Sequence, residues 1–280
     1  MAESKTEAVL SALSDRVVII LVEPQHPGNV GAAARAMKNM GLGRLTIVKP
    51  PAWDPETARW MAPGCDDLLA RIRIVATVDE ALQGVTYAVA STARHRKQGQ
   101  PVLEPSDLVR QIYDSERERV TGILFGREDF GLSTADVSRC AALVRIPTPE
   151  HASLNLGQAV LLLSHSLFEG ARARGHQAGG RTLGGSRGTT STAAVSRASE
   201  RDETADLPAV EPAIDEIVSL LRRVGYLRGA TPEKVALTAR QALQQAQITR
   251  RHTEALRGMV SRIEWALDHP GLDWEKTAKR

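Results

Sequence analysis

The sequence is poor in cysteine and in aromatic residues, and each shortage argues against a class of protein. Its 280 residues include two cysteines, Cys65 and Cys140, too few for a disulfide framework and without the spacing of a metal site. We therefore expect a protein of the reducing cytoplasm. Aromatic residues make up 4% of the chain, which argues against a stacking platform for single-stranded nucleic acid.

Long apolar runs and metal-binding patterns are also missing. No stretch approaches about 18 uninterrupted apolar residues, so no membrane span is predicted. The first residues lack the apolar core of a signal peptide. His26, His151 and His165 share no metal-ligand spacing, and we expect no metal. The net charge of +3 and the pI near 9.0 are compatible with a nucleic-acid partner but do not require one.

The first half of the chain alternates strand signals with helix signals. This alternation indicates βαβ units, hence an α/β fold with a parallel sheet and helices on both faces. The predicted strands are Val17–Val22, Leu45–Val48, Ile72–Val75, Tyr87–Ala90, Ile123–Phe125 and Leu143–Ile146. The predicted helices between them are Val30–Met40, Pro63–Arg71, Asp79–Gln83, Pro105–Tyr113 and Thr134–Cys140. Residues 1–15 are predicted to be a flexible N-terminal extension.

The second half changes character twice. Leu156–Glu169 is predicted to be an apolar helix, either central or at an oligomer interface. Residues 171–212 lose all periodicity and are rich in Gly, Ser, Thr and Arg, so we predict a flexible linker. Residues 213–280 are predicted to be a helical C-terminal extension, because apolar residues recur there at helical spacing. For each of its arginines, a solvated helix face and a phosphate contact are comparable alternatives.

Polar groups follow two buried strands and indicate a ligand site. Gly126-Arg127-Glu128 comes directly after one apolar strand, and a polar loop follows the other and leads into Ser153-Leu154-Asn155. Ligands of open α/β sheets bind at the carboxyl ends of strands. From the residues alone, an Arg127–Glu128 ion pair and a helix-capping role for Ser153 or Asn155 are simpler alternatives.

The first strand leads into a glycine-containing loop that could bind an anion at a helix N-terminus. Its spacing, Gly28-x-x-Gly31, matches neither the dinucleotide fingerprint nor the P-loop. On the following helix Arg35, Lys38 and Asn39 share one face, and a solvated surface role is the simpler interpretation of Arg35. These residues predict a polar, glycine-rich ligand edge without identifying the ligand.

Three ordered blocks resemble the motifs of the SPOUT superfamily of RNA methyltransferases. They are LVEPQHPGNVGAAARAMKNMG (Leu21–Gly41), ILFGREDFGLS (Ile123–Ser133) and IPTPEHASLNLGQAV (Ile146–Val160), and their order and spacing also match. The likeness is closest to the TrmJ type, which methylates the ribose 2′-hydroxyl at position 32 of the tRNA anticodon loop. It covers roughly residues 16–170 as the methyltransferase domain, and the tail is similar to that family's helical C-terminal extension.

The resemblance implies a C-terminal trefoil knot, a homodimer, tRNA as substrate and S-adenosylmethionine as the methyl donor, with no metal. The cofactor would be held largely by backbone groups. Carried over by motif, the cofactor-binding positions are Ser91, Thr92, Ala93, Gly126, Arg145, Ile146, Ala152, Ser153, Leu154 and Asn155.

The resemblance also implies a polar catalytic pocket. Arg35 would be its catalytic arginine, and Asn29, Glu128 and Ser153 would complete it. Because arginine stays charged in proteins, we expect Arg35 to grip a phosphate and orient the hydroxyl rather than to accept its proton. The expected RNA contacts are Arg35, Lys38, Arg94, Arg96 and Lys97.

Three alternatives stay open beside this interpretation. A 2′-O-methyltransferase for another tRNA position or for ribosomal RNA would carry the same first-half motifs. A non-catalytic RNA-binding relative should have lost Arg35, Asn29 or the Ser153–Asn155 block, and all are present. A nucleotide-dependent oxidoreductase is disfavoured, because the fingerprint is absent and Lys49 stands where an acidic residue would bind the ribose.

Overall fold

The structure is a computed structural model that describes residues 2–93, 99–115, 119–149, 153–180, 203–229 and 231–269. The chain divides into two compact units, Met1–Arg197 and Ala198–Arg280. The first unit carries the sheet and the second is helical.

The first unit is built on a seven-stranded parallel sheet in the order β3-β2-β1-β6-β4-β7-β5. This confirms the predicted α/β class and all six predicted strands. A seventh strand of two residues was missed, because a strand that short leaves no pattern. The strands are β1 Val17–Val22, β2 Arg44–Val48, β3 Arg73–Val75, β4 Tyr87–Ser91, β5 Val102–Leu103, β6 Thr121–Phe125 and β7 Ala142–Val144.

Eight helices accompany the sheet in the described part of this unit. They are α1 Ala2–Arg16, α2 Pro27–Asn39, α3 Pro55–Met61, α4 Asp66–Leu69, α5 Val78–Ala81, α6 Pro105–Asp114, α7 Thr134–Ser138 and α8 Leu156–Gly180. Central strands β1 and β6 are buried along their whole length, as expected for a parallel sheet covered on both faces.

The N-terminal segment is a helix, so the prediction of a flexible extension at residues 1–15 was wrong. Leu13 is buried in the core of the unit. At the end of α1, the Arg16 guanidinium donates to the Ile112 carbonyl at 2.7 Å and to Ser115 Oγ at 2.8 Å. Contacts with residues about a hundred positions away hold this helix, and such contacts are invisible in a local pattern.

The helix after the third motif block extends further than predicted. α8 continues to Gly180, Ala171 is buried, and Arg174 pairs with Asp114 at 2.7 Å. The predicted linker at 171–212 was therefore wrong at both ends, since the next helix begins at Leu207. Residues 181–202 of that segment lie outside the described residues.

Helix α3 was missed, and its signal is plain in hindsight. Asp54 caps it by accepting from the Glu56 N–H at 3.1 Å and the Thr57 N–H at 3.2 Å, and Pro55 occupies its first turn. Aspartate before proline is a typical helix start. The helix predicted over Pro63–Arg71 is the shorter α4.

The second unit consists of α9 Leu207–Arg223, α10 Pro232–Ala246 and α11 Arg250–Asp268, with a short 3₁₀ helix at Tyr226–Gly229. Val210 and Ile214 form its small core. The buried Arg240 forms a two-bonded ion pair with Glu211, both bonds at 2.6 Å. Three of its arginines, at 223, 240 and 257, thus hold carboxylates of the same unit, which favours a structural role for these three.

Candidate active site

A cleft of about 460 Å³ lies where strands β6, β4 and β7 end. These strands are neighbours in the sheet, so their carboxyl ends bring three distant loops together. Its lining residues are Ser91, Thr92, Ala93, Phe125, Gly126, Arg127, Glu128, Asp129, Gly131, Leu132, Ile146, Ser153, Leu154, Leu156 and Ala159.

One wall of the cleft is the tight turn after β6, at residues 126–132. The Gly131 N–H donates to the Arg127 carbonyl at 2.8 Å, and Gly131 has a φ of +68°, which favours glycine. A Cβ on Gly126 would lie 2.1 Å from both the Gly131 carbonyl carbon and the Leu132 nitrogen. Because no side chain fits there, backbone groups form this part of the wall.

A chain of side-chain hydrogen bonds joins all three motif blocks beside the cleft. Asn29 Nδ2 donates to Glu128 Oε1 at 2.6 Å, and the Gln25 N–H donates to Glu128 Oε2 at 2.9 Å. Asn155 Nδ2 donates to Asn29 Oδ1 at 3.2 Å. Glu128 lines the cleft, so this chain fixes the orientation of a carboxylate and two amides at its edge.

Asn155 has a second contact, at the start of α8. Its Oδ1 accepts from the Gly157 N–H at 2.9 Å, so the alternative that Asn155 caps the helix is correct. The cap is compatible with the site, because a different atom of the same amide reaches Asn29. A single residue thus couples the helix N-terminus to the polar chain.

Seven of the ten residues predicted to hold the cofactor line the cleft: Ser91, Thr92, Ala93, Gly126, Ile146, Ser153 and Leu154. Asn155 and Arg145 do not line it. Asn155 belongs to the adjoining polar chain, and the Arg145 N–H extends the sheet by donating to the Leu103 carbonyl at 2.9 Å. Ala152 lies outside the described residues.

The predicted catalytic residues fall into two groups. Glu128 and Ser153 line the cleft, and Asn29 is bonded to Glu128. Arg35 is exposed on α2, does not line the cleft, and forms no hydrogen bond or ion pair within the described part of the chain. The structure therefore brings together three of these four residues and leaves the guanidinium of the fourth open to solvent.

Three of the five predicted RNA contacts, Arg94, Arg96 and Lys97, lie outside the residues that the structure describes. Lys38 is exposed on α2, where it pairs with Asp67 and donates to the Gly64 carbonyl at 2.8 Å. An RNA contact by Lys38 would therefore compete with an existing ion pair.

One of the simpler alternatives from the sequence, an Arg127–Glu128 ion pair, was wrong. Arg127 pairs with Asp129 at 2.9 Å and with Glu23 at 3.4 Å, whereas Glu128 is bonded across the site. Hydrogen bonds from the Arg127 guanidinium hold the pKa of the Asp129 carboxyl below its usual value. The turn therefore keeps its ion pair at neutral pH and loses it only as the pH falls through that lowered pKa.

Gly31 of the first motif allows two helices to pack closely. Gly28 and Gly31 lie within α2 and are buried. A Cβ at Gly31 would lie 2.0 Å from the Ala58 carbonyl oxygen of α3. Close approach of α2 and α3 therefore explains the glycine at position 31.

Several site residues were missed from the sequence. Leu132, Leu156 and Ala159 supply apolar walls, but an apolar side chain in a motif looks the same whether it faces the core or a ligand. The Gln25 N–H contacts Glu128 through its backbone, for which a sequence gives no signal. Only the folded structure therefore identifies these apolar walls and this backbone donor as parts of the site.

The described ranges hold neither a candidate metal site nor a membrane-spanning helix. No group of three or more His, Cys, Asp or Glu side chains there could hold a metal ion. In the same ranges, no helix has both the length and the apolar character needed to cross a bilayer.

Comparison with known proteins places these features in one family. The profile of the SpoU rRNA Methylase family matches residues 16–165. A tRNA (cytidine/uridine-2′-O-)-methyltransferase TrmJ of Yersinia pestis is 33% identical over 251 residues, 88% of this chain and 90% of that protein. The TrmJ of Pseudomonas aeruginosa, named a tRNA (cytidine/uridine/adenosine-2′-O-)-methyltransferase, is 39% identical over 155 residues, 55% of this chain and 60% of that protein.

A solved structure agrees over nearly the whole chain. The crystal structure of TrmJ from Z. mobilis ZM4 is similar with a TM-score of 0.66 and 30% identity, covering 88% of this chain and 98% of that one. The chain therefore belongs to the SpoU rRNA methylase family and groups within it with the TrmJ tRNA 2′-O-methyltransferases, as its three motif blocks predicted.

Proposed function

We propose that this chain is a cytoplasmic enzyme that transfers the methyl group of S-adenosylmethionine to the ribose 2′-hydroxyl of cytidine or uridine 32 in the tRNA anticodon loop. The observation that carries the proposal is the hydrogen-bond chain Asn155–Asn29–Glu128, which gathers one residue from each motif block at the edge of the cleft. The names of the relatives in Y. pestis and P. aeruginosa support tRNA as the substrate.

The cleft fits the cofactor in size and chemistry. Small-molecule sites usually enclose about 300–1,000 Å³, and this one encloses about 460 Å³. Leu132, Leu156 and Ala159 offer apolar surface for an adenine ring, while Ser91–Ala93 and the bare backbone at Gly126 offer polar groups for the rest. These residues would hold the cofactor, together with Ile146, Ser153 and Leu154.

When bound, S-adenosylmethionine would supply a sulfonium methyl carbon that a nucleophilic oxygen can attack, with the sulfur leaving as a neutral thioether. A ribose hydroxyl is a poor nucleophile until its proton is weakened or removed, so the chain must orient that hydroxyl. Glu128 fixes Asn29, and Asn29 in turn accepts from Asn155. We assign Glu128 and Asn29 to positioning the ribose, and the exposed Ser153 hydroxyl on the cleft wall to contacting it.

Arg35 is assigned to the RNA backbone. It carries a permanent charge and offers five donors in a planar fork, a geometry suited to a phosphate. Its guanidinium is solvent-exposed and not engaged within the described part of the chain, so phosphate binding would break no existing contact. The phosphate or a water would then take the hydroxyl proton.

We further propose a homodimer and a trefoil knot. Apolar Leu161 and Leu162 are 39% and 43% exposed side by side on α8, a surface that a second copy would cover. The knot is supported by the strand order, because β7 lies between β4 and β5, so the chain returns between two strands already connected in sequence.

The proposal is tested by methyl transfer from labelled S-adenosylmethionine to unmodified tRNA, comparing the wild type with Arg35→Ala. We expect kcat to fall about 100-fold, because the reacting hydroxyl would be misplaced, while the Kd for S-adenosylmethionine changes less than about twofold. Arg110→Ala is the control, since Arg110 is an exposed arginine on α6 that pairs with Asp107 and should keep full activity. Equal losses of turnover and cofactor affinity in Arg35→Ala would contradict the assignment.

A further inference from the structure

An exposed aromatic ring belongs to the turn that forms one wall of the cleft. Phe130 is 64% exposed, although both of its chain neighbours, Asp129 and Gly131, line the cleft. A large apolar side chain in this position is not required by the core. Nor does the proposed chemistry at the Glu128–Asn29 pair use it.

The turn holds this ring in a defined place. The Arg127 guanidinium lies 5.3 Å from the centre of the Phe130 ring, within cation–π range. Two hydrogen bonds to Asp129, at 3.0 and 2.9 Å, fix that guanidinium in turn. The Phe130 N–H donates to Asp129 Oδ1 at 2.8 Å. Side chain and backbone are thus both anchored, with most of the ring in solvent.

We propose that Phe130 stacks on the base of the nucleotide that is methylated. The inference rests on the proposed function, because a ribose held at the Glu128–Asn29 edge carries its base only one glycosidic bond away. An anticodon loop is single-stranded, and proteins read such loops by stacking unpaired bases on aromatic rings. Every base has a π-face, so the contact would suit cytidine and uridine alike.

The alternative occupant of an exposed apolar side chain is a second copy of the chain. Phe130 adjoins the cleft wall and contacts the charged residues Arg127 and Asp129, which is unlike the paired leucines of α8. A ring rimmed by charge and next to a ligand cleft suits a polar, flat partner such as a nucleobase better than an apolar protein face.

The first test is steady-state kinetics of Phe130→Ala on an unmodified tRNA that the wild type methylates. Because the base would lose its stacking partner, the KM for tRNA should rise about tenfold, with kcat and the Kd for S-adenosylmethionine nearly unchanged. Phe130→Trp should restore the KM, because the larger ring still stacks. Trp60→Ala is the matched control: Trp60 is 84% exposed on α3 and does not line the cleft, so its loss should leave KM unchanged.

The second test removes the base instead of the ring. The RNA for this test is an anticodon stem-loop with an abasic ribose at the methylated position. Its KM with the wild type should be raised about as much as the KM of the intact stem-loop is raised by Phe130→Ala. Combining both changes should raise the KM little more than either change alone, since each removes the same contact. Additive losses, or an unchanged KM in Phe130→Ala, would overturn the proposal.

Weaker self-association of Phe130→Ala in sedimentation, with unchanged KM, would assign the ring to a protein interface and likewise overturn the proposal. A wild type that binds S-adenosylmethionine but methylates no tRNA would refute the proposed function itself. That outcome differs visibly from the failure of the stacking contact, in which the wild type remains active.

Discussion

Glu128 is the residue on which the geometry of the site depends most. Its carboxylate accepts one hydrogen bond from a backbone N–H at Gln25 and one from the Asn29 amide, at 2.9 and 2.6 Å. Hydrogen bonds to a charged group contribute about 1.5–3 kcal/mol. Because the Asn29 amide also accepts a hydrogen bond from Asn155, a change at Glu128 should alter the positions of both amides.

We predict that Glu128→Gln lowers kcat about tenfold or more. The amide nitrogen introduced by the substitution cannot accept a hydrogen bond, so one of the two bonds from Gln25 and Asn29 is lost. Asn29→Ala should lower kcat similarly. In a double-mutant cycle measured by methyl transfer, the kcat of the double variant should be little lower than that of the worse single variant. This corresponds to a coupling energy of about 1 kcal/mol or more. Glu56→Gln, at an exposed glutamate on α3, is the control. Fully additive effects would mean that the contact does not position the reacting groups.

At the scale of elements, the close packing of α2 on α3 places the first motif block. Gly31 allows the contact, since any Cβ there would lie 2.0 Å from the Ala58 carbonyl oxygen and 3.0 Å from Met61 Cβ. Lys38 holds the same surface of α2 to Gly64 and Asp67 further along. Asn29 and Arg35 lie on this helix, so its position decides where both are presented.

We predict that Gly31→Ala lowers the free energy of unfolding by about 1–3 kcal/mol, the usual cost of overpacking, as measured by chemical denaturation. Gly258→Ala is the control with the opposite sign. Gly258 lies inside α11 with nothing within 4 Å of an added Cβ, so alanine should stabilise that helix by about 0.5–1 kcal/mol. Stabilisation by Gly31→Ala would contradict the assigned packing role.

The sequence predicted the strands well, for a physical reason. Parallel strands buried on both faces are apolar throughout, so β1 and β6 stand out as VVIILV and the apolar run that ends at Phe125. Helix α1 was not predicted, because its anchor is Arg16 reaching Ile112 and Ser115. The strands were thus found from their own pattern and α1, held by distant partners, was not; α3 is the exception, since its local start at Asp54-Pro55 was overlooked.

For the candidate site too, the residues were predicted from sequence motifs, but the contacts between them were not. The motif resemblance indicated Glu128, but its partner Asn29 is 99 residues away, whereas the local pattern suggested the adjacent Arg127. The position of Gly28 and Gly31 after the first strand suggested a loop that could bind an anion, whereas in the fold both glycines lie within α2 and Gly31 contacts α3. Residue types are read from sequence, but pairing between loops depends on which strands become neighbours.

At the scale of the whole molecule, the chain combines a methyltransferase unit with a separate helical unit. The first is complete only with α8, which runs to Gly180 and buries Ala171. A cut at residue 171 would therefore damage the first unit, and a cut after 180 is the sounder boundary. The second unit neutralises several of its own arginines, so its exposed Arg250, Arg251 and Arg262 are the better candidates for RNA contacts.

The most direct test of the central claim uses the full chain, labelled S-adenosylmethionine and unmodified tRNA, with the modified nucleotide mapped after transfer. We predict a single 2′-O-methyl group at position 32, and none on a matched tRNA that carries 2′-deoxyribose at that position. Transfer that persists on the 2′-deoxy tRNA would contradict the assigned position. Absence of transfer to either tRNA, despite measurable binding of S-adenosylmethionine, would contradict the assigned substrate.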